Sequence, residues 1–265
     1  MLGGRSVPEA VSMLANCEFP KLPAKYDIAL RDAVSFVLGS FKPVGIIASG
    51  TIVRGNPDAT SDIDLWVIHL EPNRQRIQKF FNDVPVEIFV NPPWTILTYF
   101  SHDQADARPI SAHMMATGYV VLATDPIVTE LRQKAQWLLT QPPDLSEEAI
   151  QRARYAAATR FEDATDIGLR NPIAASMLLT QSLMEMMRFA FMNARRFIPR
   201  DKDLLEEFNL LASDSAAAVQ SFFQTSDYDE RLRLATRIAD EILGVRGFFE
   251  WSSSVEVKEP PTGVT

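Results

Sequence analysis

One cysteine in 265 residues leaves no partner for an intramolecular disulfide and no thiolate cluster for zinc. Cys17 therefore reads as an ordinary buried thiol in a reducing compartment. Histidine is almost as scarce, with His69, His102 and His113 alone. None stands at a recognisable spacing from a serine or cysteine, so a hydrolase triad has no support. His69, inside an apolar run, reads as a satisfied core or edge histidine rather than a base. Long apolar runs are also missing, and no window approaches the roughly 18–20 residues of a membrane span. The segment Met1–Cys17 ends in something faintly like a lipobox, but no long apolar stretch precedes the cysteine and Pro8 interrupts it. No signal peptide is expected, and the expected location is the cytoplasm. Positive charge is short as well: 26 basic against 34 acidic residues give a net charge of −8. A surface of that sign repels a phosphate backbone and draws in cationic small molecules, so nucleic acid is a disfavoured partner.

What is present is the composition of a soluble domain protein, 46% hydrophobic and 23% charged, without internal repeats. The first half alternates short β-branched runs with amphipathic segments, and everything after about Gln141-Pro142-Pro143 reads as helix. This sets two domains, 1–141 and 142–265, with a loosely ordered tail from about 252. Strands are expected at 44–48, 63–69, 84–90 and 119–124, and helices at about 24–39, 73–81, 94–101, 109–117 and 126–140. In the second half Asp144-Leu-Ser-Glu147 has the spacing of a capping box and opens a helix ending near Asn171-Pro172. A helix at about 173–196, apolar on most sides, reads as the centre of a bundle, and a last one is expected at 227–249.

The chemistry concentrates in Gly45-Ile-Ile-Ala-Ser-Gly50-Thr51 and the Ser61-Asp62-Ile63-Asp64-Leu65 that follows. Residues two apart in a strand share a side, so Asp62 and Asp64 project two carboxylates into one small volume. They repel unless a cation lies between them, and Mg2+ suits one or two carboxylates plus phosphate oxygens and water. Gly50-Thr51, directly after an apolar strand, lets the backbone approach a ligand while a hydroxyl and helix-start N–H groups bind phosphate. Ser61 adds another donor. Glu87 is a lone acid in the apolar strand Val84–Val90, where an unpaired carboxylate is costly and a metal or basic partner is expected. Taken singly, the aspartates also fit a solvated turn before a strand, and Glu87 an exposed strand-edge acid.

Gly-Thr, an Arg-Gly segment (Arg54-Gly55), Ser-Asp-x-Asp-Leu and a later lone acid resemble the DNA polymerase β-like nucleotidyltransferase superfamily. The part beyond looks like the bacterial small-molecule enzymes of the aminoglycoside-modifying type, and the resemblance spans about 24–250. It implies an α+β fold: a minimal nucleotidyltransferase domain, a mixed sheet with flanking helices, followed by an all-α helical bundle. It also implies two Mg2+ ions on Asp62, Asp64 and Glu87, and ATP or another nucleoside triphosphate as substrate. Transfer of a nucleoside monophosphate to a small hydroxylated acceptor would release pyrophosphate. Gly50, Thr51 and Ser61 would bind the nucleotide, as would Arg188, Arg200 and Lys202 near a proline-containing turn. Arg188 equally fits a helical pair with Glu185, and Arg200 and Lys202 fit solvated loop charges. Two other functions remain compatible: modification of a protein partner, in the manner of an antitoxin or regulator, and a catalytically silent nucleotide-binding module.

Overall fold

Short β-branched runs bounded by glycine, proline and aspartate become strands in the computed structural model, which describes residues 12–55, 57, 58 and 60–255. The chain divides into two compact units, Met1–Pro142 and Pro143–Thr265. The N-terminal residues 1–11 and the tail residues 256–265, on which two of the readings above fall in part, lie outside the described residues.

In the first unit, β1 (Gly45–Ser49), β2 (Ile63–Ile68), β3 (Gln75–Phe81), β4 (Val84–Asn91) and β5 (Tyr119–Ala123) form one sheet in the order β3-β4-β2-β1-β5. Only β2 and β4 pair in parallel, so the sheet is mixed. Helix α1 (Ala24–Ser40) covers one face, burying Leu30, Val34 and Val37 against Ile46, Leu65 and Ile88. Helices α2 (Pro93–Ala105), α3 (Ile110–Thr117) and α4 (Ile127–Leu139) cover the other, where Ile96, Phe100, Met115 and Leu131 pack on Ile47, Trp66 and Ile68. With both faces covered, the central strands are apolar almost throughout, as two-sided burial demands. In β2 the single residue that is not fully buried is Asp64.

The helix expected at 73–81 is a strand. Its residues, Gln75, Arg76, Gln78 and Lys79 among them, favour helix by propensity, and as an edge strand β3 exposes nearly every side chain, so no alternation marks it. A two-residue turn joins it to β4, with Asn82 at φ 46° and Asp83 at φ 57° between the paired Phe81 and Val84. Two left-handed residues in a row are the requirement of a tight hairpin whose turn twists with its strands.

The second unit is all helix among its described elements: α5 (Glu147–Ile167), α6 (Pro172–Asn193), α7 (Leu204–Leu211), α8 (Ser213–Gln224) and α9 (Tyr228–Ile242). The N-cap of α5 is Ser146, whose Oγ accepts from Ala149 N at 3.0 Å, and not Asp144. Asn171 caps α6 in the same way, ahead of Pro172 at the position where a missing N–H costs nothing. Ser182 in α6 donates to the Ala157 carbonyl of α5 at 2.8 Å, fully buried, so the two helices meet along small residues. The last helix ends at Ile242 instead of running to 249, because Gly244 takes φ +67° and bonds back to Ala239. Helices α7 and α8 had no counterpart among the expected elements.

Candidate active site

The site begins where β1 stops. Ser49 is followed by Gly50 at φ +101°, and a Cβ on Gly50 would stand 2.9 Å from the Asp62 carbonyl oxygen and 3.4 Å from Asp64 Oδ2. Only glycine fits both the conformation and the space. The chain then turns, with Arg54 N on Gly50 O and Gly55 N on Ile52 O. Residues 51–55 form a turn and not the helix start expected there. Thr51 Oγ1 and Ser61 Oγ are 2.8 Å apart, and Ser61 Oγ also donates to Asp58 Oδ1 at 3.1 Å. Ser61 has one proton to give, so Thr51 must be the donor in the first pair. Both hydroxyls thus close the loop that delivers Asp62 to the sheet.

Strand register draws the remaining groups into a row. Ser49 of β1 lies opposite Asp64 of β2, Asp64 opposite Glu87 of β4, and Glu87 opposite Gln78 of β3. Directly opposite residues share a face, so one line of side chains crosses four strands. Two positions along, the next row on that face is Ile47, Trp66, Phe89 and Arg76.

Burial first, then the charges of Asp62 and Glu87, push the Asp64 carboxyl up to about 7, while Arg54 and Arg76 pull it back only in part. Glu87 is held differently. Arg76 Nη2 donates to its Oε2 at 2.6 Å and Gln78 Nε2 donates to its Oε1. These two partners turn the glutamate toward β3. Among the described residues no three acidic, histidine or cysteine side chains converge as a metal-ligand set.

Beside this row lies a cavity of ≈ 750 Å³. Asp64 and Glu87 line one end, Trp66, Phe89 and Tyr99 supply an aromatic wall, and Arg74 and Arg76 stand on the β3 side. Trp66 stacks on Phe89 with centroids 5.4 Å apart and meets Tyr99 edge-on at 6.2 Å. Arg74 Nη1 donates to Tyr99 Oη at 2.7 Å, and that hydroxyl donates to Asn91 Oδ1 at 3.3 Å. Ser49 Oγ and Trp66 Nε1, both in these rows, are buried without a hydrogen-bond partner.

Of the residues singled out in the sequence, Gly50, Thr51, Ser61, Asp62, Asp64 and Glu87 are all drawn to this end of the first unit. Arg188, Arg200 and Lys202 belong to the second unit. Arg188 pairs with Asp201 at 3.0 Å, while Glu185 pairs with Arg160 at 2.5 Å, so the anticipated helical pair is not formed. Arg200 pairs with Asp203 at 2.6 Å, and Lys202 is exposed. His69 is buried, with Nε2 2.9 Å from Asn73 O, and it fastens the β2–β3 connection. Sequence reasoning missed Ser49, Arg74, Arg76 and Gln78.

A crystal structure of a nucleotidyltransferase-like protein from Exiguobacterium sibiricum is similar to this chain. The TM-score is 0.52 over 82% of this chain and 73% of that one, at 15% sequence identity. At that identity the likeness establishes the fold: the chain has a nucleotidyltransferase-like α+β architecture. No protein-family model matches the sequence, and no curated protein matches it. Among the described residues no helix is long and apolar enough to cross a membrane.

Proposed function

We propose that the chain transfers a nucleoside monophosphate, AMP from ATP, to a hydroxyl of a small-molecule acceptor and releases pyrophosphate. The observation that carries this reading is the juxtaposition of Asp64 and Glu87 in register on parallel strands, with Asp62 two residues before Asp64 and Gly50 pressed against both aspartates.

The donor set fits a divalent cation. An Asp64 carboxyl raised to about 7, first by burial and then by the charges of Asp62 and Glu87, marks a crowded anionic position that a cation relieves. Asp62 and Asp64 would hold Mg2+, and Glu87 would join them on leaving Arg76 and Gln78. Bound there, Mg2+ supplies charge neutralisation at the triphosphate and acidifies the acceptor hydroxyl. Gly50 lets backbone N–H groups approach the phosphates, and Thr51 and Ser61 turn their hydroxyls to phosphate oxygens. Glu87 takes the proton of the acceptor hydroxyl. That oxygen bonds to the α-phosphorus, the bond from the α-phosphorus to the bridging oxygen breaks, and pyrophosphate leaves with the electron pair. Arg188 and Arg200 have carboxylate partners of their own in the second unit, Asp201 and Asp203.

A transfer assay with ATP labelled at the α-phosphorus, run against aminoglycosides, lincosamides, polyols, tRNA and a protein extract, tests this. Label on a small molecule supports the reading, and label only on tRNA or protein moves the activity to another acceptor class. One observation favours a second reading, a nucleotide-binding module without turnover: both oxygens of Glu87 are already bonded within the chain. Magnesium-dependent ATP binding with no label on any acceptor and no pyrophosphate release would select it.

A further inference from the structure

We infer that the cavity beside Asp64 and Glu87 is the acceptor pocket and that it takes a hydroxylated compound with a flat apolar body and an anionic group, not a polycation. The inference rests on the transferase reading and specifies its substrate class.

Strand register separates the two halves of the reaction. Gly50 follows Ser49, which pairs with Asp64, so the proposed phosphate turn lies at the Asp64 end of β2. The cavity extends the other way, from Asp64 to Trp66 along β2 and from Glu87 to Phe89 and Asn91 along β4. A nucleotide on the Gly50 side therefore leaves it free for the molecule to be modified. A volume of ≈ 750 Å³ lies within the range of small-molecule sites.

Charge accounting then fixes the sign. The chain is acidic overall, which favours a cation at long range. Among the described residues that line the cavity the only acids are Asp64 and Glu87, and the reaction commits both to the metal. What remains for the acceptor is Arg76 of β3 and Arg74 just ahead of that strand, both in the cavity lining, with no further carboxylate among the described lining residues. Among the described residues Arg74 has no carboxylate partner, and it is held by the Tyr99 hydroxyl. Once Glu87 turns to the metal, Arg76 loses its partner as well. A polycation would meet two uncompensated guanidinium groups, whereas a carboxylate or phosphate would meet two planar donors shaped for it. The rest of the acceptor faces the stacked Trp66–Phe89 pair and the Tyr99 edge, which favours a planar apolar body.

The test is calorimetric titration of the full chain, with Mg2+ and a non-hydrolysable ATP analogue present, by three probes of one shape. These are 4-hydroxyphenylacetate (anionic), its alcohol analogue tyrosol (neutral) and tyramine (cationic). The expected result is binding of the anion roughly ten-fold tighter than the cation, with the alcohol between them. Arg74→Gln should bring the ratio close to one and Arg74→Lys should preserve most of it; position 74 is exposed, so neither change threatens the fold. Tyramine binding as tightly as the anion overturns the inference, as does an anion preference that survives Arg74→Gln combined with Arg76→Gln. In the same calorimeter, absence of magnesium-dependent binding of the nucleotide analogue removes the transferase reading and the inference with it. Nucleotide binding without anion preference removes the inference alone.

Discussion

Glu87 faces Asp64 across the parallel β2–β4 pair, yet its carboxylate oxygens are taken by Arg76 and Gln78 from β3. The pair to Arg76 is largely solvent-facing on the arginine side, 62% exposed, so it is worth at most about 1 kcal/mol. A metal can displace it at that small cost. Arg76→Ala should therefore raise Mn2+ affinity by no more than roughly five-fold, measured by titration of the paramagnetic ion. Glu87→Gln should lose at least about 100-fold in kcat while nucleotide affinity changes little, since a base or metal ligand acts chiefly in the transition state. An unchanged kcat would return Glu87 to the status of a strand-edge acid.

The raised carboxyl at Asp64 makes a prediction about stability and pH. The unfolded chain gives up that proton near the ordinary carboxylate value, 3.8, and the folded chain keeps it until about 7. Between those values the folded state binds more protons, so the stabilisation is full at the acid end and is lost as pH rises through 7. In EDTA the Tm should fall across this window. Added Mn2+ should raise it, and most at the alkaline end where the carboxylate is free. A metal-free Tm that climbs through the same window contradicts the assignment.

Asp62→Asn and Asp64→Asn should each cost at least about 100-fold in transfer and abolish metal-dependent nucleotide binding. The Asp64 change should at the same time raise the metal-free Tm at pH 8 by a few degrees, because it removes a half-buried charge crowded by two others. Thermal melts with and without metal separate the two effects. Full turnover by the double variant would be incompatible with the proposed site.

Gly50→Ala should destabilise the fold by about 2 kcal/mol or more, through an unfavourable φ and the approach of the new methyl to the Asp62 carbonyl. Because Gly50 also touches Asp64, activity should fall further than the lost folded fraction explains. Denaturant melts and kinetics on the same preparation compare the two.

Much of this site was legible because it is local. Asp62 and Asp64 declare themselves by spacing, and β1, β2 and β4 by apolar runs that only a two-sided core requires. Gly50 was legible as a backbone approach, although the group it accommodates is the chain's own aspartate pair. The partners of Glu87 were hidden because they stand on β3, whose polar residues read as helix. The Asn82-Asp83 pair, a good two-residue turn between Phe81 and Val84, was the available signal. Arg188 was hidden for a related reason: its partner Asp201 lies 13 residues on, outside any helical spacing.

The place of β3 at the margin of the sheet has a colloidal consequence. Among the described residues no strand neighbours its outer N–H and C=O groups, and Phe80 stands 72% exposed beside them, a template for joining two molecules edge to edge. Arg76 and Lys79 put like charges on that margin and make a second copy repel the first. The guanidinium that touches Glu87 is thus also a guard against self-association. Variants that neutralise Arg76 and Lys79 together should drift toward concentration-dependent oligomers, and light scattering across a dilution series should detect them before any ligand is added.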